Sequence, residues 1–174
     1  MVEKMRWFDR EFSFDLPVWM YPNVLERLRG TPARLEERVN SLHEEILTAR
    51  ENDSWSIKEN AGHLLDLEPL GAGRLDDFLA GEAMLRPADL ANRKTHEANH
   101  NATPLETILQ SFRKLRMELV ERLDNLDEAA ITRTSLHPRL NAPMRVLDMI
   151  FFIAEHDDQH LARISELNRL LLKQ

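Results

Sequence analysis

Phe151-Phe152-Ile153-Ala154-Glu155-His156-Asp157-Asp158-Gln159-His160-Leu161 lies in a run without proline or glycine that extends from Met144 to the end of the sequence. We predict that this run forms the last helix. His156 and His160 are four residues apart, so their side chains share one helix face. At about 100° per residue, the same face carries a stripe of apolar side chains: Met149, Phe152, Ile153, Ile164 and Leu167. Imidazoles in a core-facing stripe need partners for their ring nitrogens, and one metal ion would satisfy both.

Composition and charge limit the class of protein. The 174 residues are enough for one domain with a sizeable core, and 43% of them are hydrophobic. Only five glycines are present, which favours helices. The net charge of -7 argues against nucleic-acid binding, which rests on clustered Lys and Arg. The sequence has no cysteine, so disulfides, thiolate ligands and a cysteine nucleophile are excluded.

Membrane and export signals are also missing from the sequence. There is no apolar stretch of about 18 residues and no signal-like N-terminus. We therefore expect a cytoplasmic protein that does not bind membranes.

Start signals and apolar spacing predict four long helices. Thr31-Pro32 predicts a first helix over about 32–50. Ser56 with Glu59 forms a capping box that starts a second helix, which we expect to kink at Pro69 and to continue towards Leu79. A third helix starts at Thr103-Pro104, after a polar connection over 81–101 that lets it run in the same direction as the second. The fourth spans about 143–172. Without strand signals, an all-α four-helix bundle is the economical fold.

The first 30 residues form a predicted arm, and 31–174 form the bundle. The arm contains a short helix over 22–29 that ends at Gly30, and it carries much of the aromatic content: Trp7, Phe8, Phe12, Phe14, Trp19 and Tyr21. We expect these side chains to pack on the domain's own core. Docking on a partner subunit is the alternative.

The other five histidines lie at four places in the sequence. His63 lies on the inward face of the second helix, so it is a third imidazole for the pair in the last helix. His43 lies beside an apolar stripe and either flanks the site or supplies a further ligand. His96 and His100 repeat the four-residue spacing but fall in the polar connection, where we expect them to be solvated. His137 precedes a proline in a loop, which favours a hydrogen-bonding role.

Three imidazoles with open positions are typical of a catalytic divalent metal. The alternative is that the histidines are core residues bonded to carboxylates, and the pattern alone leaves both open. Asp66, Glu59 and Asp157 are close enough along their helices to orient ring nitrogens. The sequence His156-Asp157-Asp158-Gln159-His160 differs from the zincin motif, which has Glu after the first His, so it does not predict a peptidase.

The last helix has a second apolar strip, opposite the histidines: Leu147, Ile150, Phe151, Ala154 and Leu161. A helix that is apolar nearly all round is usually buried on both sides. The strip therefore predicts contact with a neighbouring helix or with a second copy of the chain.

Two blocks, Trp55–Glu68 and His137–His160, together resemble the DinB/YfiT-like superfamily of metal-binding four-helix proteins, and the resemblance covers about 31–172. It implies an up-down-down-up bundle and one divalent metal, Zn, Ni or Fe, bound by His63, His156 and His160. It also implies a homodimer. Relatives act as S-transferases that use a low-molecular-weight thiol such as bacillithiol or mycothiol, and others are described as metal-dependent hydrolases.

The leading functional hypothesis is therefore a metal-dependent enzyme that acts on a small molecule. We expect thiol S-transfer first and hydrolysis by metal-activated water second, with Asp66 and Asp157 supporting the ligands. The non-catalytic alternative is a metal that stabilises the bundle or reports metal or stress status to a partner. Coordination separates the two, because a fourth protein ligand favours a structural metal, whereas an open site facing a pocket favours chemistry.

Overall fold

The structure is a computed structural model that describes residues 5–172. Four long helices and three short ones lie within this range: α1 (Tyr21–Val39), α2 (Glu44–Thr48), α3 (Ile57–Ala80), α4 (Arg93–Glu97), α5 (Leu105–Asp124), α6 (Glu128–Ile131) and α7 (Val146–Leu171). Three 3₁₀ turns precede or separate them: Trp7–Asp9, Val18–Met20 and His100–Ala102. None of the helices within residues 5–172 has the length and apolar character required to cross a lipid bilayer.

The four long helices form an up-down-down-up bundle. α1 packs on α5 and α7, and α3 packs on the same two helices, so α3 and α7 are neighbours. The connection that contains α4 is long enough to let α3 and α5 run parallel, as predicted. α3 begins at the predicted capping box, in which the Ser56 hydroxyl accepts from the Glu59 amide, and it passes Pro69 without a break. It ends at Gly81, whose φ of 76° is the left-handed conformation that suits glycine.

The second apolar strip of α7 is covered by the chain itself. Leu147, Ile150, Ala154 and Leu161 are each at most 2% exposed and belong to the two core clusters of the bundle. Neighbouring helices therefore account for this strip, and the homodimer remains a prediction.

The predicted start of the first helix at Thr31 is wrong. α1 begins ten residues earlier, at Tyr21, so Pro32 lies inside it, and it ends at Val39 instead of near residue 50. Proline has no amide hydrogen for the carbonyl of Leu28, one turn before it. The buried Arg116 side chain donates to that carbonyl at 3.3 Å instead, which lets the helix continue. The segment 22–29, predicted as a separate short helix, is the first part of α1.

The loop predicted between the third and fourth helices contains a β-hairpin. Strands β1 (Thr134–His137) and β2 (Ala142–Arg145) pair antiparallel, from Thr134 opposite Arg145 to His137 opposite Ala142. Asn141 closes the turn with a φ of 50°, and its amide donates to the His137 carbonyl at 2.9 Å. The absence of strands was thus a wrong prediction, because each strand has only four residues and the hairpin holds two prolines.

Aromatic residues before α1 pack on the core near the start of α7. The Trp7 ring lies 4.9 Å from the Phe152 ring and 4.9 Å from the His156 ring, between ring centroids. Phe12 also contacts Phe152, at 4.8 Å. Phe8 is 56% exposed, so this segment forms one rim of the histidine-lined cavity described below.

Candidate metal centre

His63 of α3 meets His156 and His160 of α7. One nitrogen from each ring lies within 4.8 Å of the other two, and the ring centroids are 4.5 to 5.3 Å apart. His63 is buried, whereas the two α7 histidines are half-buried. The convergence follows from the packing of α3 on α7, together with the one-turn spacing of the α7 pair.

Thr95 fixes the proton of His63. Its hydroxyl lies 3.0 Å from His63 Nδ1 and donates its hydrogen to Asp66 Oδ2 at 2.9 Å. Since a threonine hydroxyl has one hydrogen, it accepts the bond from His63 Nδ1–H. A neutral imidazole protonated at Nδ1 has a free lone pair at Nε2. Asp66, a predicted supporting residue, therefore orients His63 through Thr95.

Asn60 fixes the proton of His160 in the same way. The Asn60 amide nitrogen donates to the Trp55 and Ser56 carbonyls, at 3.2 and 2.7 Å, so its oxygen is the acceptor for His160 Nδ1 at 2.9 Å. The Nε2 lone pair of His160 then points at His156 Nε2, 3.2 Å away. In the metal-free protein a proton on His156 Nε2 makes this contact a hydrogen bond, and binding of a cation would require that proton to move to Nδ1.

Burial keeps all three imidazoles neutral at ordinary pH. It lowers the pKa of His63 to about 3, with a further contribution from His160, and it lowers the pKa of His156 to about 3, aided by His63. The pKa of His160 falls well below its usual value for the same reason, with His156 adding to the effect. Neutral imidazoles are the form that binds metal ions.

The donor set fits a divalent cation. Zinc–imidazole bonds of about 2.1 Å place tetrahedral ligand atoms roughly 3.4 Å apart, so nitrogens within 4.8 Å need only small adjustments. Imidazole suits Zn, Ni and Fe alike.

The cluster faces a cavity of about 410 Å³. Trp55 covers one side, with its ring 4.7 Å from that of His63 and 6.2 Å from that of His160. The wall is largely apolar, and the hairpin carries polar groups at another part of it. Its apolar members include Leu67, Leu70, Leu119, Phe152 and Ile153.

Asp157 does not contact the histidines in the predicted way. Its carboxylate accepts from Arg116 Nη1 at 2.5 Å and lies 2.9 Å from the Thr31 hydroxyl. Arg116 also binds Glu68, so the three side chains form a buried ionic network between helices. The prediction rested on the position of Asp157 next to His156 in the helix, but its side chain points towards α1 and α5 and not along the histidine face.

Two other predicted candidates have separate structural roles. Glu59 completes the cap of α3 and pairs with Arg50, which occupies both of its carboxylate oxygens. His43 is exposed and precedes α2, because the first helix ends four residues before it. It is not part of the cluster of possible ligands within residues 5–172.

The His96 and His100 side chains have different environments. His96 is exposed, as predicted, but His100 is only 5% exposed and its Nε2 lies 2.8 Å from Asp66 Oδ2. Its predicted solvation was therefore wrong. Gly62 makes room for it, since a Cβ at that position would collide with the His100 ring. Burial acts to raise the pKa of Asp66, but hydrogen bonds from His100 and Thr95 outweigh it and lower that pKa.

Sequence reasoning missed Thr95, Asn60 and the role of His100. Thr95 and His100 come from the connection between α3 and α5, where no periodicity indicates burial. Asn60 did carry a signal, because a polar side chain one turn before His63 on the inward face of α3 needs a partner. His137 has the predicted hydrogen-bonding role, since its Nδ1 accepts from the Leu140 amide at 3.2 Å.

Comparison with known proteins identifies the family and matches the fold. The model of the DinB superfamily matches residues 27–164. Among solved structures, the chain is similar to YfiT from Bacillus subtilis, described as a probable metal-dependent hydrolase with an unusual four-helix bundle topology, with a TM-score of 0.83, 18% identity and 93% of each chain covered. Comparison with functionally curated proteins gave no significant match. The family match spans most of the chain, and we conclude that the chain belongs to the DinB superfamily.

Proposed function

We propose that this protein is a divalent-metal-dependent enzyme for small molecules and that His63, His156 and His160 bind the metal. The observation that carries the proposal is the convergence of three neutral imidazoles in the wall of a cavity. Thr95 and Asn60 each hold a proton on the far nitrogen of a ring, which leaves the near nitrogen free for a cation. The alternative, core histidines that are hydrogen-bonded to carboxylates, would require a carboxylate in direct contact with these rings.

A catalytic metal is favoured over a purely structural one. Structural zinc sites are closed by four protein ligands, whereas catalytic sites keep a position open. Within residues 5–172, the cluster contains three possible ligands and His43 is not among them. The open side of the cluster faces space for a small molecule.

Thiol S-transfer is the reaction we propose first. When bound, the metal lowers the pKa of a thiol or water and so supplies an anionic nucleophile at neutral pH. The carboxylates that line the cavity are already engaged: Glu68 and Asp157 by Arg116, and Asp89 by the amides of its own loop. Because none of the carboxylates that line the cavity within residues 5–172 is free to act as a general base, a thiol, which is far more acidic than water, is the better nucleophile.

In the proposed transfer, a sulfur–carbon bond forms while the bond between that carbon and its leaving group breaks. The leaving group keeps the bonding electrons, and the thiol proton goes to solvent. The chain's own part is to hold His63 and His160 in the correct tautomers and to exclude water with Trp55, Trp7 and Phe152.

Hydrolysis is the second candidate reaction. It is favoured by the similarity to YfiT, which is described as a probable metal-dependent hydrolase. We further propose Zn, Ni or Fe as the metal, a homodimer as the assembly and the cytoplasm as the location. Metal content, gel filtration and fractionation test these points in turn.

Turnover assays on metal-loaded protein test the proposed function. A panel of low-molecular-weight thiols is combined with an epoxide and an activated haloarene, and p-nitrophenyl esters are assayed without thiol. We expect thiol-dependent consumption of an electrophile that disappears in His160→Ala and persists in His43→Ala, a matched control at an exposed histidine outside the cluster. Thiol-independent ester cleavage with the same dependence on His160 would favour hydrolysis. Loss of metal in His160→Ala with every turnover unchanged would exclude catalysis by this site.

A further inference from the structure

The hairpin end of the cavity carries polar side chains that the proposed chemistry does not use. His137 ends β1 and Arg139 lies in the turn that follows, and both line the same cavity as the three clustered histidines. Arg74 of α3 lines it beside them. Phe152 connects the two ends, because its ring lies 5.4 Å from that of His137 and it precedes His156 by one helical turn.

His137 presents a hydrogen-bond donor that has no acceptor. Its Nδ1 accepts from the Leu140 amide, so the proton of the neutral ring is on Nε2. The side chain is only 2% exposed, and within residues 5–172 this Nε2 has no hydrogen-bond partner. An unpaired buried donor costs free energy, about 1–3 kcal/mol, unless a bound group accepts from it.

Arg139 presents a second donor of the same kind. Its Nη2 is buried and has no acceptor within residues 5–172, and no carboxylate in that range forms an ion pair with it. The guanidinium instead lies over two aromatic rings, 5.7 Å from the centroid of Phe152 and 5.3 Å from that of Phe8. These contacts hold the guanidinium in place through its faces.

Two cations, Arg74 and Arg139, lie at this end, and within residues 5–172 neither forms an ion pair. Asp77 attracts Arg74 electrostatically, but its carboxylate accepts two hydrogen bonds from the Arg86 guanidinium. Arg74 itself donates from Nε to the Arg86 carbonyl at 3.1 Å. Burial lowers the pKa of His137 to about 4, and Arg74 and Arg139 lower it further, so the ring stays a neutral donor between two cations.

We propose that His137 and Arg139 bind an oxyanion, a carboxylate or phosphate group, carried by the small molecule that occupies the cavity. The acceptor would receive His137 Nε2–H and an Arg139 Nη2–H, and Arg74 adds attraction. The apolar part of the molecule would lie along Phe152 and Ile153, with its reacting atom towards His156. As a statement about the substrate, this inference rests on the proposed function. As a statement about binding, it is independent of any metal.

Binding of simple anions tests this inference directly. The probes are phenylacetate and phenylphosphonate, with phenylacetamide as the uncharged analogue, and affinity is measured by calorimetry. Both metal-loaded protein and protein stripped with chelator are titrated, since a carboxylate could also bind the metal. The variants are Arg139→Gln and His137→Phe, and Arg122→Gln is the matched control because Arg122 pairs with Asp76 on the surface away from the cavity.

We expect at least one of the two anions to bind, phenylacetamide to bind at least tenfold more weakly, and Arg139→Gln to weaken the anion at least tenfold in both metal states. His137→Phe should also weaken binding of the anion, so it provides a second test if Arg139→Gln does not fold. Arg122→Gln should bind as the unaltered chain does. The proposal is overturned if neither anion binds, if the amide binds equally well, or if both cavity variants stay within threefold of the unaltered chain. Anion binding that survives in stripped protein would hold even if the proposed metal-dependent function failed.

Discussion

Two pairs of histidines in this chain have the same spacing and different outcomes. His156 and His160 lie on a long helix and converge with His63. His96 and His100 lie across the end of a five-residue helix, α4, and separate: one ring is exposed and the other is buried against Asp66. Spacing sets a common face only where the helix continues through both positions.

The two segments also have different roles at the site. The α7 pair supplies nitrogens that face a cavity, whereas the α4 segment supplies Thr95 and His100, which hold Asp66 and thereby the tautomer of His63. The predictions below separate these two contributions.

The largest expected effect is on metal affinity when a ring of the converging pair is removed. His160→Ala should weaken divalent-metal binding by about 1,000-fold, because an apparent binding free energy of about 10–16 kcal/mol is shared among a few ligands. His96→Ala, at the exposed member of the other pair, should bind as the unaltered chain does. Competition titration with a chelating dye measures both, and equal affinities would remove the distinction between the pairs.

Acid should destabilise the metal-free protein. His63 and His156 have pKa values of about 3 in the folded state, and an unfolded histidine titrates near 6.5, so the unfolded chain binds more protons between these limits. The contribution of these two rings to the free energy of unfolding is therefore complete above about pH 6.5. It is lost as the pH falls towards 3, by up to about 1.4 kcal/mol per pH unit for each ring. Urea unfolding at pH 7 and pH 5 measures the loss. His156→Gln should make the pH dependence shallower, and an unchanged slope would contradict the account.

Removing the Thr95 hydroxyl should have a smaller effect on metal affinity. Thr95→Val keeps the shape but deletes the acceptor for His63 Nδ1–H, and loss of such a supporting contact typically costs about 10–100-fold. Thr107→Val, at an exposed position of α5, is the matched control. If the two variants bind metal equally, Thr95 does not orient His63.

The last expected effect, of about the same size in free energy, is on stability at Gly62. A Cβ there meets the His100 ring, so Gly62→Ala should destabilise the fold by about 1–3 kcal/mol through overpacking. Gly71→Ala is the control on the same helix, because its Cβ would meet Leu119 and Ile153 at 3.4 and 3.5 Å, which are ordinary contacts. The thermal unfolding temperatures of the two variants are compared. A Gly62→Ala variant that is more stable than the unaltered chain would show that the His100 ring moves aside without loss of stability.

Local signals in the sequence predicted the parts of the fold that depend on neighbouring residues. The capping box at Ser56 starts α3, and periodic apolar residues mark α5 and α7. The inward position of His63 followed from the same periodicity. The family resemblance added the topology and the proposed ligand set, which the spacing had left open.

The errors arose where distant residues decide the local structure. Pro32 is typical of a helix start. Arg116, 84 positions later, donates to the Leu28 carbonyl, which has no amide partner at Pro32. Thr95 and His100 have no pattern of their own, and their burial depends on Asp66 and Gly62 across the connection. Asp157 shares a helix with the histidines but is held by Arg116 on another face.

Metal content of the protein, prepared without a histidine tag, tests the central claim most directly. Elemental analysis combined with X-ray absorption should find one divalent ion per chain with three imidazole nitrogens at about 2.0–2.1 Å for zinc. His160→Ala should contain almost none. Protein that remains free of metal after incubation with Zn, Ni and Fe would contradict the account.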